Sequence, residues 1–329
     1  MKLLKQLFCI HSKSGKEGKM RKFIWNWIKQ NVPGCRIDCD KTGNMFIVKG
    51  KSETYPCIVA HLDQVQEKHS KDFICYESEE IIIGYSRKNR RQEGLGADDK
   101  CGLWIALQCL KNYPALKVAF FVGEEVGCKG SSKADLKFFE NTRFVIEPDR
   151  RGNNDLITQI SWTSLCSDEF IKDCGYKTFG YHEANGMMTD IEELKERGLA
   201  VSCINLSCGY YDPHTDHEFI VKEDLMNSLR FVEHIIENCT RVYPHVDEDD
   251  IYSRSGSGYY DLYYSDLYDE MYELVSMHPE MSFGDVEACY KGSYPHINRA
   301  ELEAAYDMAR EDVIFWHKES AAANSKVLF

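Results

Sequence analysis

Three apolar runs in this chain end in the same way. "YPCIVAHLD" (55–63), "LKVAFFVGEEVG" (116–127) and "RFVIEPDRRG" (143–152) each lead a stretch of aliphatic and aromatic residues into imidazole, carboxylates or glycine. Uninterrupted apolar runs of this length suit strands covered on both faces, as in a parallel sheet with helices on either side. Their polar ends then emerge at the carboxyl edge of the sheet, where open α/β sheets gather their ligands.

The segments between these runs supply the covering helices. Residues 17–30 place Met20, Phe23, Ile24, Trp27 and Ile28 at helical spacing, and residues 101–110 are apolar and helix-compatible. Further helices are expected from about 165, near 189–197 and over 221–238, with a strand in "LAVSCINLS". "RIDCDKTGNMFIVKG" and "FICYESEEIIIGYS" read as hairpins, the first around a Thr-Gly-Asn turn. The expected fold class is α/β: a three-layer sandwich with a mixed, centrally parallel sheet, plus a small helical C-terminal appendage.

Charge locates the appendage. The net charge of the 329 residues is −13. Residues 1–240 carry 33 basic and 35 acidic groups, whereas residues 241–329 carry 7 and 18, with 11 of the 19 tyrosines. Residues 1–240 are therefore expected to form one domain, with its boundary near 240. Residues 241–329 form an acidic, Tyr-rich, mainly helical region, with Tyr260, Tyr263, Leu267, Met271 and Leu274 on one helix face over 259–277 and a second helix over 299–316. Oligomerisation or a protein partner through 241–329 is the functional reading of that region.

No part is basic enough for a nucleic-acid surface, and no window approaches the apolar length of a membrane span. The 14 cysteines are scattered through apolar runs without a C-x-x-C pair. They read as free thiols, and the expected compartment is the cytoplasm.

The chemistry concentrates in clusters: His61 and Asp63, Asp98 and Asp99 in the glycine-walled loop "EGLGADDKCG", Glu124 and Glu125, Glu147 and Asp149, and His214 in "YYDPHTDHE". Any one of them has a bland explanation, such as a helix N-cap or a solvated loop. Together they supply the mixed imidazole and carboxylate ligands of a two-metal hydrolytic site, since a carboxylate can bridge two ions.

The order H-x-D, G-A-D-D-K-x-G, G-E-E-x-G, a strand-terminal acid and a late His resembles the co-catalytic dizinc exopeptidases, among them peptidase T and the zinc aminopeptidases. "SKSGKEGKM" and "DKTGNMFIVKG" are also similar to peptidase T, and the resemblance spans residues 1–240. It implies two divalent ions, Zn2+ first with Co2+ or Mn2+ as substitutes. His61 and Asp149 would bind one ion, Glu125 and His214 the other, and Asp98 would bridge them across a cis Asp98–Asp99 peptide. Asp63 would orient His61, and Glu124 would act as general base.

Glu147 is the alternative to Asp149, because two residues apart on a strand both project to the same side. His217 is a rival to His214, and His182 reads as a surface residue. Only 65 residues separate Asp149 from His214, too few for the lid domain of peptidase T.

The resemblance therefore implies a lidless exopeptidase, an aminopeptidase or small-peptide hydrolase acting on a peptide or small amide. Its alternatives are a deacylase and a non-catalytic metal-binding relative that works through its acidic tail. Arg150 and Arg151 would suit a substrate carboxylate or ion pairs with nearby acids.

Overall fold

In the computed structural model the central apolar runs become neighbouring parallel strands. The structure describes residues 1–160, 163–246 and 278–290, with residues 271, 274, 275, 299, 302, 303, 306, 307, 309 and 310. Two compact units divide the chain, Met1–Ile251 and Tyr252–Phe329.

The first unit begins with helices α1 (Lys2–Phe8) and α2 (Gly18–Asn31), followed by strands β1 (Cys35–Cys39), β2 (Met45–Lys49) and β3 (Tyr55–His61). Strands β4 (Phe73–Glu77), β5 (Ile81–Ser86) and β6 (Arg91–Gln92) precede helix α3 (Ala97–Asn112). Next come β7 (Leu116–Phe121), β8 (Thr142–Arg150), β9 (Asp155–Ile160), β10 (Thr163–Ser164) and helix α4 (Asp168–Cys174). Strand β11 (His182–Gly186), helix α5 (Asp190–Glu196), strands β12 (Cys203–Ser207), β13 (Tyr210–Tyr211) and β14 (Phe219–Val221), and helix α6 (Lys222–Asn238) complete it.

The large sheet runs β1–β2–β7–β3–β8–β12–β9–β10, with β11 beside β9. Its four central strands, β7, β3, β8 and β12, are mutually parallel, and β1, β2 and β9 add antiparallel pairings outside them. A smaller, antiparallel sheet runs β13–β14–β5–β4, with β6 on β5.

Alternation along the central strands feeds two cores. Ile58, Ala60, Val118 and Phe120 join the cluster of α1, α2, α3 and α6 side chains. Cys57, Val59, Ala119 and Phe121 face Ile191 and Leu194 of α5 on the other side. Every residue of β7 is buried for this reason, and the three-layer expectation holds. Helix α3 is buried along most of its length, as a helix lying between a sheet and further helices must be.

In the second unit, helix α7 (Phe283–Tyr290) contributes buried Val286 to an apolar cluster with Met271, Val275, Leu302, Tyr306 and Ala309. The Tyr306 hydroxyl donates to the Met281 carbonyl at 2.7 Å. Most of the expected helices over 259–277 and 299–316, including Tyr260, Tyr263 and Leu267, lies outside the described residues. No helix among the described residues is long and apolar enough to cross a membrane.

Candidate metal centre

The carboxyl edge of the parallel strands brings together side chains far apart in sequence. His61 is the last residue of β3, Asp98 lies in the first turn of α3, Glu125 follows β7, and Asp149 lies near the end of β8. His214 stands in the loop between β13 and β14. Asp98 turns one oxygen each way: Oδ1 lies 3.0 Å from His61 Nε2 and Oδ2 3.3 Å from His214 Nε2. Asp149 Oδ2 approaches His61 Nε2 at 3.6 Å, and Glu125 Oε2 approaches His214 Nε2 at 3.1 Å. Two candidate ligand triads result, His61–Asp98–Asp149 and Asp98–Glu125–His214, sharing Asp98.

The opening of α3 is shaped to hold Asp98 there. Gly96 has φ +62°, and a Cβ at that position would sit 2.8 Å from Gln64 Nε2 and 2.9 Å from Lys100 Nζ. The Asp98–Asp99 peptide is cis. Asp99, fully buried, accepts from the Gly102 amide at 2.9 Å and from the His61 amide at 3.3 Å, tying the loop to β3.

A Cβ on Gly102 would collide with the Asp99 carboxylate and sit 2.7 Å from the Pro148 carbonyl. Helix propensity favours Gly102→Ala by about 1 kcal/mol, but overpacking costs about 1–3 kcal/mol and here strikes a buried acceptor. Net destabilisation is expected, read as a lower Tm than the parent without added metal.

Beneath the loop stand groups that the sequence motifs left without a role. Glu218 accepts from the amides of Gly96, Ala97 and Asp98 at 2.6, 2.9 and 3.3 Å. Lys100 is fully buried and donates to Gln64 Oε1 and, at 3.0 Å, to the Leu95 carbonyl. The available signals were the acid four residues after His214 and the lysine inside the Asp-Asp motif.

The general-base candidate Glu124 opens a 3-10 turn between Gly123 and Gly127, both left-handed. Its Oε2 lies 3.9 Å from His61 Nε2, and its amide donates to Asp63 Oδ1 at 3.1 Å. Asp63 accepts from Ser14 Oγ at 2.7 Å and stands 3.5 Å from His61 Nδ1, an ion-pair contact outside hydrogen-bond geometry.

Glu147 and Asp149 differ in their surroundings, contrary to the expectation that they project alike. The β8–β12 register slips between Asn205 and Ser207, opposite Glu147 and Arg150, so β8 carries one extra residue. A bulge breaks the two-residue alternation. Asn205 clamps it, accepting from the Asp149 amide at 3.2 Å and donating to the Asp149 carbonyl at 3.0 Å. Glu147 instead accepts from the Thr189 hydroxyl at 2.5 Å.

The rival ligand His217 lies outside both triads, with its amide donating to Thr215 Oγ1 at 3.0 Å. His182 is exposed, 3.4 Å from Asp155. Arg150 Nε donates to Asp155 at 3.2 Å, one of the two roles open to it.

Electrostatically the cluster is dominated by buried acids, which raise one another and both imidazoles. Burial, then Asp99 and Asp98, raise the carboxyl of Asp149; burial, His61's partial offset notwithstanding, with Asp190 and Glu125 raises that of Glu124. Burial and Asp98 raise Glu125. For His61 burial opposes the charge, yet Asp149, Asp63 and Asp98 outweigh it and hold the imidazole well above its usual range. Glu125 Oε1 is buried with no hydrogen-bond partner. Acids crowded into a largely buried site, one with an orphaned oxygen, fit divalent cations.

No protein-family model matches the chain, and no curated protein sequence matches it. Its fold does match solved structures. Aminopeptidase PepT from Bacillus cereus superposes with a TM-score of 0.60 at 14% identity, covering 73% of this chain and 98% of that one. A tripeptidase from Staphylococcus aureus gives 0.58 at 14% identity, covering 72% and 96%. An aminopeptidase from the archaeon Desulfurococcus kamchatkensis gives 0.55 at 15%, covering 78% and 98%. The strand-end clusters thus sit on a fold shared with these two aminopeptidases and the tripeptidase.

Proposed function

We propose that the protein is a metal-dependent exopeptidase, an aminopeptidase or small-peptide hydrolase. One observation carries the reading: the Asp98 carboxylate divides its two oxygens between His61 and His214, the arrangement a bridging ligand needs. His61 and Asp149 would hold one divalent ion, Glu125 and His214 the other, with zinc fitting the mixed nitrogen and oxygen donors. When bound, such ions polarise a scissile carbonyl and acidify water.

The chain's own residues do the rest. Glu124, unpaired with any cation side chain closer than His61 at 3.9 Å, would take the proton of the attacking water and return it to the leaving nitrogen. Asp63 would orient His61 and, through the Glu124 amide it accepts, fix the start of the turn that carries the base. The cytoplasm is the compartment that suits the free thiols. The Arg150–Asp155 ion pair favours recognition of a substrate amine over a substrate carboxylate.

The test is metal content per chain together with hydrolysis of a free-amine peptide panel, before and after chelation. The expected result is two ions per chain and release of N-terminal residues that chelation abolishes and zinc restores. A protein that binds no zinc, cobalt or manganese would overturn the proposal. Two ions with turnover only of amine-blocked substrates would replace the aminopeptidase with a deacylase.

A further inference from the structure

Apart from the metal centre, the described residues hold one accessible pair of nucleophilic side chains in contact. Cys9, at the C-terminal cap of α1, places its Sγ 3.9 Å from Sγ of Cys75 in β4. Cys9 is exposed and Cys75 half-buried, while nine of the thirteen cysteines whose side chains are described are buried. The other accessible thiols, Cys35 and Cys39, lie four residues apart on the extended strand β1, about 13 Å at strand rise. Cys101 and Cys208 also neighbour each other, but both have no exposure.

The two cysteines are chemically unlike. The hydrogen bond from Cys75, working against burial and helped by Lys100, pulls the Cys9 thiol down to about 6. Cys9 itself, together with burial, pushes Cys75 up. Nearby, the Lys5–Glu77 ion pair at 2.5 Å already ties α1 to β4, so the two elements approach at two points.

We propose that Cys9 and Cys75 are a reversible thiol–disulfide site, oxidised by small disulfides of the glutathione class. Cys9 thiolate attacks one sulfur of the oxidised glutathione and expels the first glutathione thiolate, leaving a mixed disulfide. With Cys9 capped, the charge that raised Cys75 is gone. Cys75 loses its proton, attacks Cys9 Sγ and expels the second glutathione. Two protein thiols are oxidised and one glutathione disulfide is reduced to two thiols.

Closing the bond brings the sulfurs from 3.9 Å to bonding distance, about 2 Å. The residues that follow Cys9 brace the candidate metal centre. His11 Nε2 meets the Gln66 carbonyl at 2.7 Å, the Ser12 amide donates to Gln64 Oε1 at 3.1 Å, and Ser14 Oγ donates to Asp63 Oδ2 at 2.7 Å. The disulfide therefore pulls on the segment that orients Asp63. Its chemistry is independent of the peptidase reading, and the test uses no activity.

The full-length, metal-loaded protein is treated with oxidised glutathione, quenched with N-ethylmaleimide and mapped by mass spectrometry, with hydrogen exchange followed over residues 10–14 and 61–66. The expected result is a Cys9–Cys75 disulfide, reversed by dithiothreitol, with altered exchange in both segments. Cys75→Ser should instead accumulate glutathione on Cys9 several-fold above the parent, and Cys9→Ser should leave Cys75 unmodified. The inference is overturned if both thiols remain free, if the parent holds as much glutathione on Cys9 as Cys75→Ser does, or if exchange in the two segments is unmoved by the disulfide.

Discussion

Glu124→Gln is expected to lower kcat by about 10²–10⁴, the usual contribution of a general base, while metal content and Tm stay at the parent's values. The amide keeps the shape of the side chain and removes only its capacity to accept and return a proton. Glu124 belongs to neither candidate ligand triad, so its loss should not release an ion. Its backbone amide, which donates to Asp63 at 3.1 Å, is untouched by the substitution. Exchange of a buried acid for a neutral amide also removes repulsion from Asp190 and Glu125, which argues against destabilisation. The measurement is kcat on a free-amine peptide beside metal analysis of the same preparation. Full turnover in the variant would place the base elsewhere; loss of an ion would recast Glu124 as a ligand.

Asp98→Asn is expected to act on the metals themselves. A carboxylate can present an oxygen to each of two ions, whereas an amide presents one oxygen and an N–H pair that repels a cation. Both of Asp98's oxygens are engaged, one toward each triad. The variant should therefore bind fewer than two ions per chain at stoichiometric zinc. Lewis-acid stabilisation of a transition state is worth several kcal/mol, so kcat/KM should fall by about 10³ or more. Asp63→Asn, which weakens the contact to His61 and disturbs the acceptors of the Ser14 hydroxyl and the Glu124 amide, should cost about 10–100-fold. Retention of two ions by Asp98→Asn, with near-parent affinity, would remove the bridging role.

Much of the fold was legible because burial imposes a period on sequence. Residues 17–30 and 221–238 show helical spacing, and α2 and α6 cover nearly those spans. The apolar runs 55–61 and 116–121 read as doubly covered strands, and β3 and β7 are neighbours at the centre of the sheet. Short strands such as β13 and β14 carry too few residues for a period, and they lie in the small sheet that flanks the His214 loop.

The site was legible in its chemistry and hidden in its supports. By itself the sequence determined which acids and imidazoles stand at strand ends, because residue type and apolar spacing are local properties. Tertiary structure set the distances at which Asp98 faces two histidines separated by more than 150 residues, which residue spacing does not contain, and it alone decided that Glu218 gathers the amides of the loop. It also separated Glu147 from Asp149, since a bulge is set by the register of β8 against β12 and leaves no mark in residue spacing. The physical reason is the same in each case: hydrogen bonds and Coulomb contacts fall off over a few ångströms, so they depend on which segments the two cores press together.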